Sequence, residues 1–410
     1  MIDPYKIRQD FPMFVNKVKM QNHPLVFLDN ASTTFKPYPV LKAVEDYYGY
    51  ETSNSHRGDY DLCYIADKKV SEARETVAKF INADVKECVF TTGTTMSINI
   101  IAYGYALTHL KKDDEIVLTV AEHASNTLPW FRVAKKTGAK IKFIELNEQG
   151  RITMENVKKA LSEKTKIVAV AHVGNVLGYK LDIKEVARLA HEVGAIIACD
   201  GAQSVPHMKT DVKDLDIDFL SFSGHKLCGP TGVGVLYGKA ELLKETDVVL
   251  AGGGMNVTFH SNQEVTYLTA PEKFEAGTLN LEGIYGLSAA IKYIESIGLE
   301  NIEEYEQNLR KYVINKIKNV PGIKLYNEDA ESGIITFNVK GIFAQDLGTY
   351  LNSKGIAVRT GLHCAKMLPE FLKDPATVRV SLYFYSTKED VDLLVETLMT
   401  GGNFLDAYFA

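Results

Sequence analysis

The chain has 410 residues, 46% hydrophobic and 24% charged, with a formal net charge of −6. That length predicts about two to three domains, and the composition excludes a largely disordered chain. Lysines are scattered, no like-charge run is long, no apolar run approaches the ~18 residues of a membrane span, and Met1–Asp10 is too polar for a secretory signal. These features argue against nucleic acid and membranes as partners and predict a soluble, cytoplasmic protein.

Along the chain, short apolar runs alternate with amphipathic stretches. The runs read as strands are Cys88–Thr92, Glu115–Val120, Lys140–Glu145, Lys166–Ala171, Ala195–Asp200, Phe219–Ser223 and Gly232–Tyr237. Met154–Leu161 and Ile183–Val193 read as helices between them. Such alternation predicts an α/β domain with a largely parallel sheet. Helices are then expected at Gly283–Gly298 and Ile302–Ile317, followed by short strands near Ile334–Val339 and Thr377–Ser381. This change of character predicts a large domain over residues 30–295 and a smaller α+β domain from residues 1–29 and 296–410.

The five cysteines, Cys63, Cys88, Cys199, Cys228 and Cys364, are odd in number and form no C-x-x-C pair. Neither a disulfide framework nor a metal site is expected. Gly232-Val233-Gly234 lacks the third glycine of a dinucleotide fingerprint, because Tyr237 stands there. Gly238-Lys239 is followed by alanine and so lacks the hydroxyl of a phosphate-binding loop.

Ligands of open α/β sheets sit beyond the carboxyl ends of the strands. Two predicted strands end in Asp200-Gly201-Ala202-Gln203 and in Ser223-Gly224-His225-Lys226. An aspartate and a lysine so placed suit pyridoxal 5′-phosphate. The lysine would anchor it covalently, and the aspartate would keep its pyridine nitrogen protonated so that the ring accepts electrons from Cα.

At these residues the sequence resembles the class V aminotransferase-fold enzymes and, among them, the group II (SUF-type) cysteine desulfurases. The resemblance runs from Leu28-Asp29-Asn30-Ala31-Ser32-Thr33-Thr34 to about Val395 and includes Gly229-Pro230-Thr231-Gly232-Val233-Gly234 after the lysine. It implies the pyridoxal-phosphate-dependent transferase fold of type I, with a mostly parallel seven-stranded sheet in the large domain. It pairs Asp200 with the pyridine nitrogen and Gln203 with the ring hydroxyl. Thr94 and Thr95, ahead of a helix expected from about Met96, would cradle the phosphate, with further contacts from Ser223 and His225. Thr278 matches a phosphate contact that the family takes from a second subunit, which implies a homodimer. His123 would stack on the ring and shuttle protons, and Asn175 would lie near the cofactor hydroxyl and the substrate.

Arg359-Thr360-Gly361-Leu362-His363-Cys364-Ala365 resembles the nucleophile loop of that group. A cation beside a thiol favours the thiolate, and His363 and Arg359 are the local candidates. The resemblance makes Cys364 the acceptor of sulfur from L-cysteine and Arg379 the grip on the substrate carboxylate, with Arg359 also at the substrate. Lys226 would move the Cα proton, alanine would leave, and a sulfur-acceptor protein would collect the persulfide for iron–sulfur cluster assembly. Leu362, Lys366-Met367 and Ala124 depart from the commoner pattern of histidine, Gln-Pro and histidine. The alternatives are a selenocysteine lyase or another class V transferase, and, in a different class, a non-catalytic sulfur carrier or assembly scaffold.

Overall fold

A computed structural model describes residues 2–55 and 58–400. Seven strands form one sheet: β1 (Cys88–Thr91), β2 (Glu115–Thr119), β3 (Lys140–Ile144), β4 (Thr165–Ala171), β5 (Ile196–Asp200), β6 (Phe219–Ser223) and β7 (Gly234–Gly238). Their order across the sheet is β1-β7-β6-β5-β4-β2-β3. β7 runs antiparallel to both its neighbours, and the other pairings are parallel. All seven expected strands are present, with ends within two residues of expectation. β7 begins at Gly234 rather than Gly232, whose φ of +72° is left-handed and cannot join a ladder.

The strands read as near-continuous apolar runs because both faces of the sheet are covered. Val117, Val168, Val170, Ile197, Cys199, Leu220 and Phe222 point to one core, with side chains of α1 (Asp61–Ile81). Their strand neighbours Ile116, Leu118, Ile167, Ala169, Ala198 and Phe219 point to the other, against α2 (Thr94–Ile100) and α3 (Leu128–Thr137). The first layer also holds α4 (Met154–Ala160), α5 (Ile183–Glu192) and α6 (Leu281–Ile297). In α5 the buried residues Ile183, Val186, Ala187 and Ala190 follow helical spacing, and the Asp182 side chain caps the start by accepting the Glu185 N–H.

A second sheet is antiparallel and has the order β8-β9-β11-β10. Its strands are β8 (Ile323–Leu325), β9 (Ile334–Val339), β10 (Arg359–Gly361) and β11 (Thr377–Ser381). Ile335, Phe337, Val378 and Val380 pack onto α7 (Leu299–Ile317), α8 (Ala344–Ser353) and α9 (Lys388–Thr400). The opposite face carries Arg359 and Arg379, which are register partners. The expected second unit takes in residues 401–410, which lie outside the described residues. Tyr383, Phe384 and Tyr385 follow β11 in sequence but join the core of the large sheet.

The segment from Leu28 to Thr34 stitches the two sheets together. Ser381 N–H donates to Leu28 O at 2.7 Å, and the Asn30 side chain donates to Ser381 O at 2.8 Å. At its other end Thr34 N–H donates to His225 O at 3.0 Å, in the turn after β6.

Arg74 of α1 and Glu275 form a buried two-pronged ion pair, with bonds of 2.6 and 2.8 Å. Arg74 also donates to Cys88 O and Glu275 accepts Phe90 N–H, so the pair fastens β1 to the segment that leads to Thr278. Replacing Arg74 by leucine strands a buried carboxylate. The expected loss is ~3–5 kcal/mol of unfolding free energy, read from urea denaturation.

Candidate active site

Asp200 ends β5, Ala171 ends β4 beside it, and Ser223 ends β6. Their shared register brings three strand ends to the rim of one cavity of about 190 Å³. His123 follows β2 and Thr94 opens α2, so both reach the same cavity. The second sheet closes it from the other side with Arg359, His363 and Arg379. Of the expected residues, Lys226, Asp200, Gln203, Thr94, Thr95, Ser223, His225, Asn175, His123, Arg359 and Arg379 all line this space. Helix α2 starts at Thr94, two residues before the expected Met96.

Burial decides the charges here. Lys226 follows β6 in a tight turn, and burial lowers its amine to about 8, with Asp200 opposing and Arg379 and Arg359 reinforcing the shift. Burial raises Asp200, whose carboxylate accepts one backbone N–H, from Ala202 at 2.9 Å. His123 is lowered to about 4 by burial first and then by Lys226, Arg359 and Arg379. Its Nδ1 accepts Ser125 N–H at 3.1 Å, which leaves the ring proton on Nε2. His225 is likewise pushed to about 4 by burial and by Lys226 and Lys36.

The Arg379 guanidinium donates to Asn175 O at 2.8 Å, to Asp29 at 3.0 Å and to Ser32 Oγ at 2.9 Å. Arg359 donates to the same Ser32 Oγ at 2.9 Å and, through Nη2, to Cys364 Sγ at 3.8 Å. Arg359 is therefore the cation beside the thiol. His363, the other local candidate, turns its Nε2 to Thr377 and is held at about 3, chiefly by burial and also by the two arginines. It carries no charge near neutral pH. Cys364 is half-buried, and its carbonyl accepts Ala124 N–H at 2.8 Å.

Two expected residues are not on this lining: Cys364, which reaches it through its contact to Arg359, and Thr278. Thr278 is exposed, accepts a bond from Asn54, and lines a separate cleft of about 150 Å³ rather than this cavity. Asp29 and Ser32 are functional neighbours that the motifs alone did not single out, although both stand in the quoted Leu28–Thr34 segment. Glu122 is a third. Fully buried, it is raised to about 7 by burial while accepting bonds from Thr119, Asn126 and Ala171 N–H. It thereby fixes the His123 segment against the end of β4.

The residues suit pyridoxal phosphate. Gly93, at φ +143°, approaches Ser223 so closely that a Cβ would stand 3.1 Å from its Oγ, inside the cradle that Thr94 and Ser223 form. Arg379 Nε and Asn175 Oδ1 are buried without a hydrogen-bond partner among the described residues, as expected of groups that serve a polar ligand.

The family model for aminotransferase class-V matches residues 26–394. A probable cysteine desulfurase of Halalkalibacterium halodurans is 44% identical over 398 residues, covering 97% of each chain. Among solved structures, the chain is similar to the cysteine desulfurase of Escherichia coli in its S-sulfonic acid form. The TM-score is 0.91 at 36% identity, with 99% of each chain covered. It is also similar to the apo cysteine desulfurase of Thermococcus onnurineus NA1, with a TM-score of 0.92 at 37% identity over 98% of this chain and 99% of that one.

The lowered amine makes a directional prediction. A neutral lysine is the nucleophile toward an aldehyde, so attachment of pyridoxal phosphate to the stripped protein should quicken as pH rises and level off above about 8. Borohydride trapping followed by peptide mapping of Lys226 measures it. A midpoint near that of a free lysine would contradict the buried environment.

Proposed function

The chain belongs to the class-V aminotransferase family, and on that footing we propose that it is a pyridoxal-phosphate-dependent cysteine desulfurase, turning L-cysteine into L-alanine and taking the sulfur onto Cys364. The observation that carries this reading is the Arg359 contact to Cys364 Sγ, made from a side chain that also lines the cavity of Lys226 and Asp200.

Pyridoxal phosphate supplies an electron sink for charge that develops at Cα. Lys226 is its anchor, Asp200 answers the ring nitrogen and Gln203 the ring hydroxyl, the latter steadied by its own bond to Ala31 O at 2.8 Å. Thr94, Thr95, Ser223 and His225 serve the phosphate. Arg379, held from behind by Asp29 and Ser32, offers its unpartnered Nε to the substrate carboxylate, and Asn175 offers Oδ1 to the substrate amine side. Lys226 Nζ would take and return the Cα proton. Its depressed basicity near 8 suits exchange in both directions. His123, neutral and protonated on Nε2, lines the same cavity and would face the ring and pass a proton.

Cys364 then bonds to the substrate sulfur. The Cβ–S bond breaks, its electron pair stays with carbon, and carbon takes a proton to give alanine. Cys364 retains the sulfur as a persulfide, which a sulfur-acceptor protein receives. The reading assigns this transfer to iron–sulfur cluster assembly of the SUF type and to the cytoplasm, in line with five cysteines that are all unpaired.

We read the second sheet, with the N-terminal segment, as the smaller domain that carries the nucleophile. Thr278 outside its own cavity fits a contact donated to a partner copy, and the assembly we propose is a homodimer. The hairpin Asn256–Phe259 and Val265–Tyr267 supports it, since Val257 and Phe259 are 64% and 70% exposed. Sedimentation should give twice the 45.5 kDa chain mass. A monomer at micromolar concentration would refute the dimer.

Replacing Cys364 by alanine should lower alanine formation from L-cysteine at least ~10³-fold while the visible absorbance of the bound cofactor persists. Intact mass after incubation with L-cysteine should show one added sulfur on the native protein and none on the variant. Full retention of turnover in Cys364→Ala would overturn the reading.

A further inference from the structure

The nucleophile sits in an unusual piece of backbone. Ala365 N–H donates to Leu362 O at 2.9 Å, closing a four-residue turn, and both central residues are left-handed, His363 at φ +49° and Cys364 at φ +61°. Positive φ at both central positions is the pattern of a type I′ turn, whose usual residues are Asn and Gly. Histidine and cysteine each carry a Cβ that crowds the following carbonyl in this region. A turn of that kind persists only where its surroundings over-determine it.

Four contacts do so from outside the turn. His363 Nε2 lies 3.1 Å from Thr377 O and 2.9 Å from Thr377 Oγ1, on the first residue of β11. Asn175 Nδ2 donates to His363 O at 2.8 Å, and Ala124 N–H donates to Cys364 O at 2.8 Å. The Thr377 carbonyl requires the proton to be on Nε2. Nδ1 is buried with no partner among the described residues, so a second ring proton would find no acceptor. The charged groups that bear on the ring are Arg379 on β11 and Arg359 on β10, both positive.

We propose that His363 is a positioning residue, whose ring, moored on Thr377, holds Cys364 in the left-handed turn that keeps its sulfur beside Arg359. This rests on Cys364 being the sulfur acceptor and adds what keeps it in place. The histidine next to the nucleophile in sequence is thus a strut rather than its acid, base or counter-charge.

Single-turnover persulfide formation on the cofactor-loaded enzyme tests this, followed by mass spectrometry of the Cys364 peptide after mixing with L-cysteine. His363→Ala should slow sulfur transfer by about tenfold to a hundredfold, the scale of an ångström-sized misplacement. Cofactor absorbance and the cysteine concentration that half-saturates it should stay as in the native protein. The ratio of variant to native rates should be constant from about pH 6 to about pH 9, because an uncharged strut does not titrate there. His363→Gln should recover more of the rate than His363→Asn, since the glutamine amide can donate to Thr377 in place of ring Nε2, whereas asparagine, though more at ease in the left-handed region, falls short of it. If the alanine variant fails to fold, the Asn and Gln pair decides.

A His363→Ala rate within twofold of native would overturn the proposal. So would a ratio that follows an imidazole titration, or recovery by Asn but not by Gln. Cys364→Ala run in parallel separates the two ideas. If that variant still forms alanine at the native rate, the desulfurase reading falls. If it is inactive while His363→Ala is unimpaired, only the strut falls.

Discussion

Two guanidinium groups stand directly opposite each other on adjacent strands of the second sheet, and much of the site depends on making that tolerable. Arg359 and Arg379 are register partners, a placement that like charges normally disfavour. The remedy comes from the N-terminal segment. Ser32 accepts from both arginines, and Asp29 adds a carboxylate 3.0 Å from Arg379. Braced from behind and still positive, the pair sets Arg359 at the thiol and leaves Arg379 Nε facing the cavity, in keeping with the proposed grip on a substrate carboxylate. The segment that does this also receives Ser381 N–H and donates Thr34 N–H to His225 O, one residue before the cofactor lysine. A single stretch of chain therefore sets the spacing between the nucleophile's sheet and the cofactor's sheet.

Around this positive pair, the cavity sorts its ionisable groups by burial. Histidines 123, 225 and 363 are all driven well below neutrality, so they act as neutral rings that donate from one nitrogen. Lys226 is lowered only to about 8 because Asp200 works against the desolvation. Besides the two guanidinium groups, the positive charge of the site near neutral pH is carried by Lys226, whose amine is lowered to about 8. Proton traffic is concentrated on the lysine.

The sequence shows clearly whatever follows from local chemistry. Strand ends at Asp200 and Ser223 were visible because both faces of the central strands are buried, which leaves the first polar residues to mark the rim. Lys226 follows from those ends, and the family resemblance supplies Gln203, Cys364 and Arg379. Long-range partners were not legible in the same way. Asp29 and Ser32 lie about 350 residues from Arg379, and no local pattern announces that pairing. His363 misled for the opposite reason. Adjacency to Cys364 suggested a charge, whereas two successive left-handed residues swing its ring away to Thr377. The mooring of Cys364 O by Ala124 N–H is a backbone contact, so the side chain at position 124 reveals nothing of it.

The stitch between Leu28 and Ser381 has a consequence for how the protein is made. Synthesis runs from the N-terminus, and domains generally fold as they emerge. The seven-stranded sheet is complete once Gly238 has emerged, and its cofactor lysine is in place by then. The N-terminal segment that braces the arginines must nevertheless wait for a partner strand about 350 residues downstream. Until β11 follows, Asp29 lacks its bond to Arg379 and Leu28 and Asn30 lack theirs to Ser381, so Lys226 is in place before the second sheet is complete. The order of translation thus places sulfur chemistry after the emergence of β11.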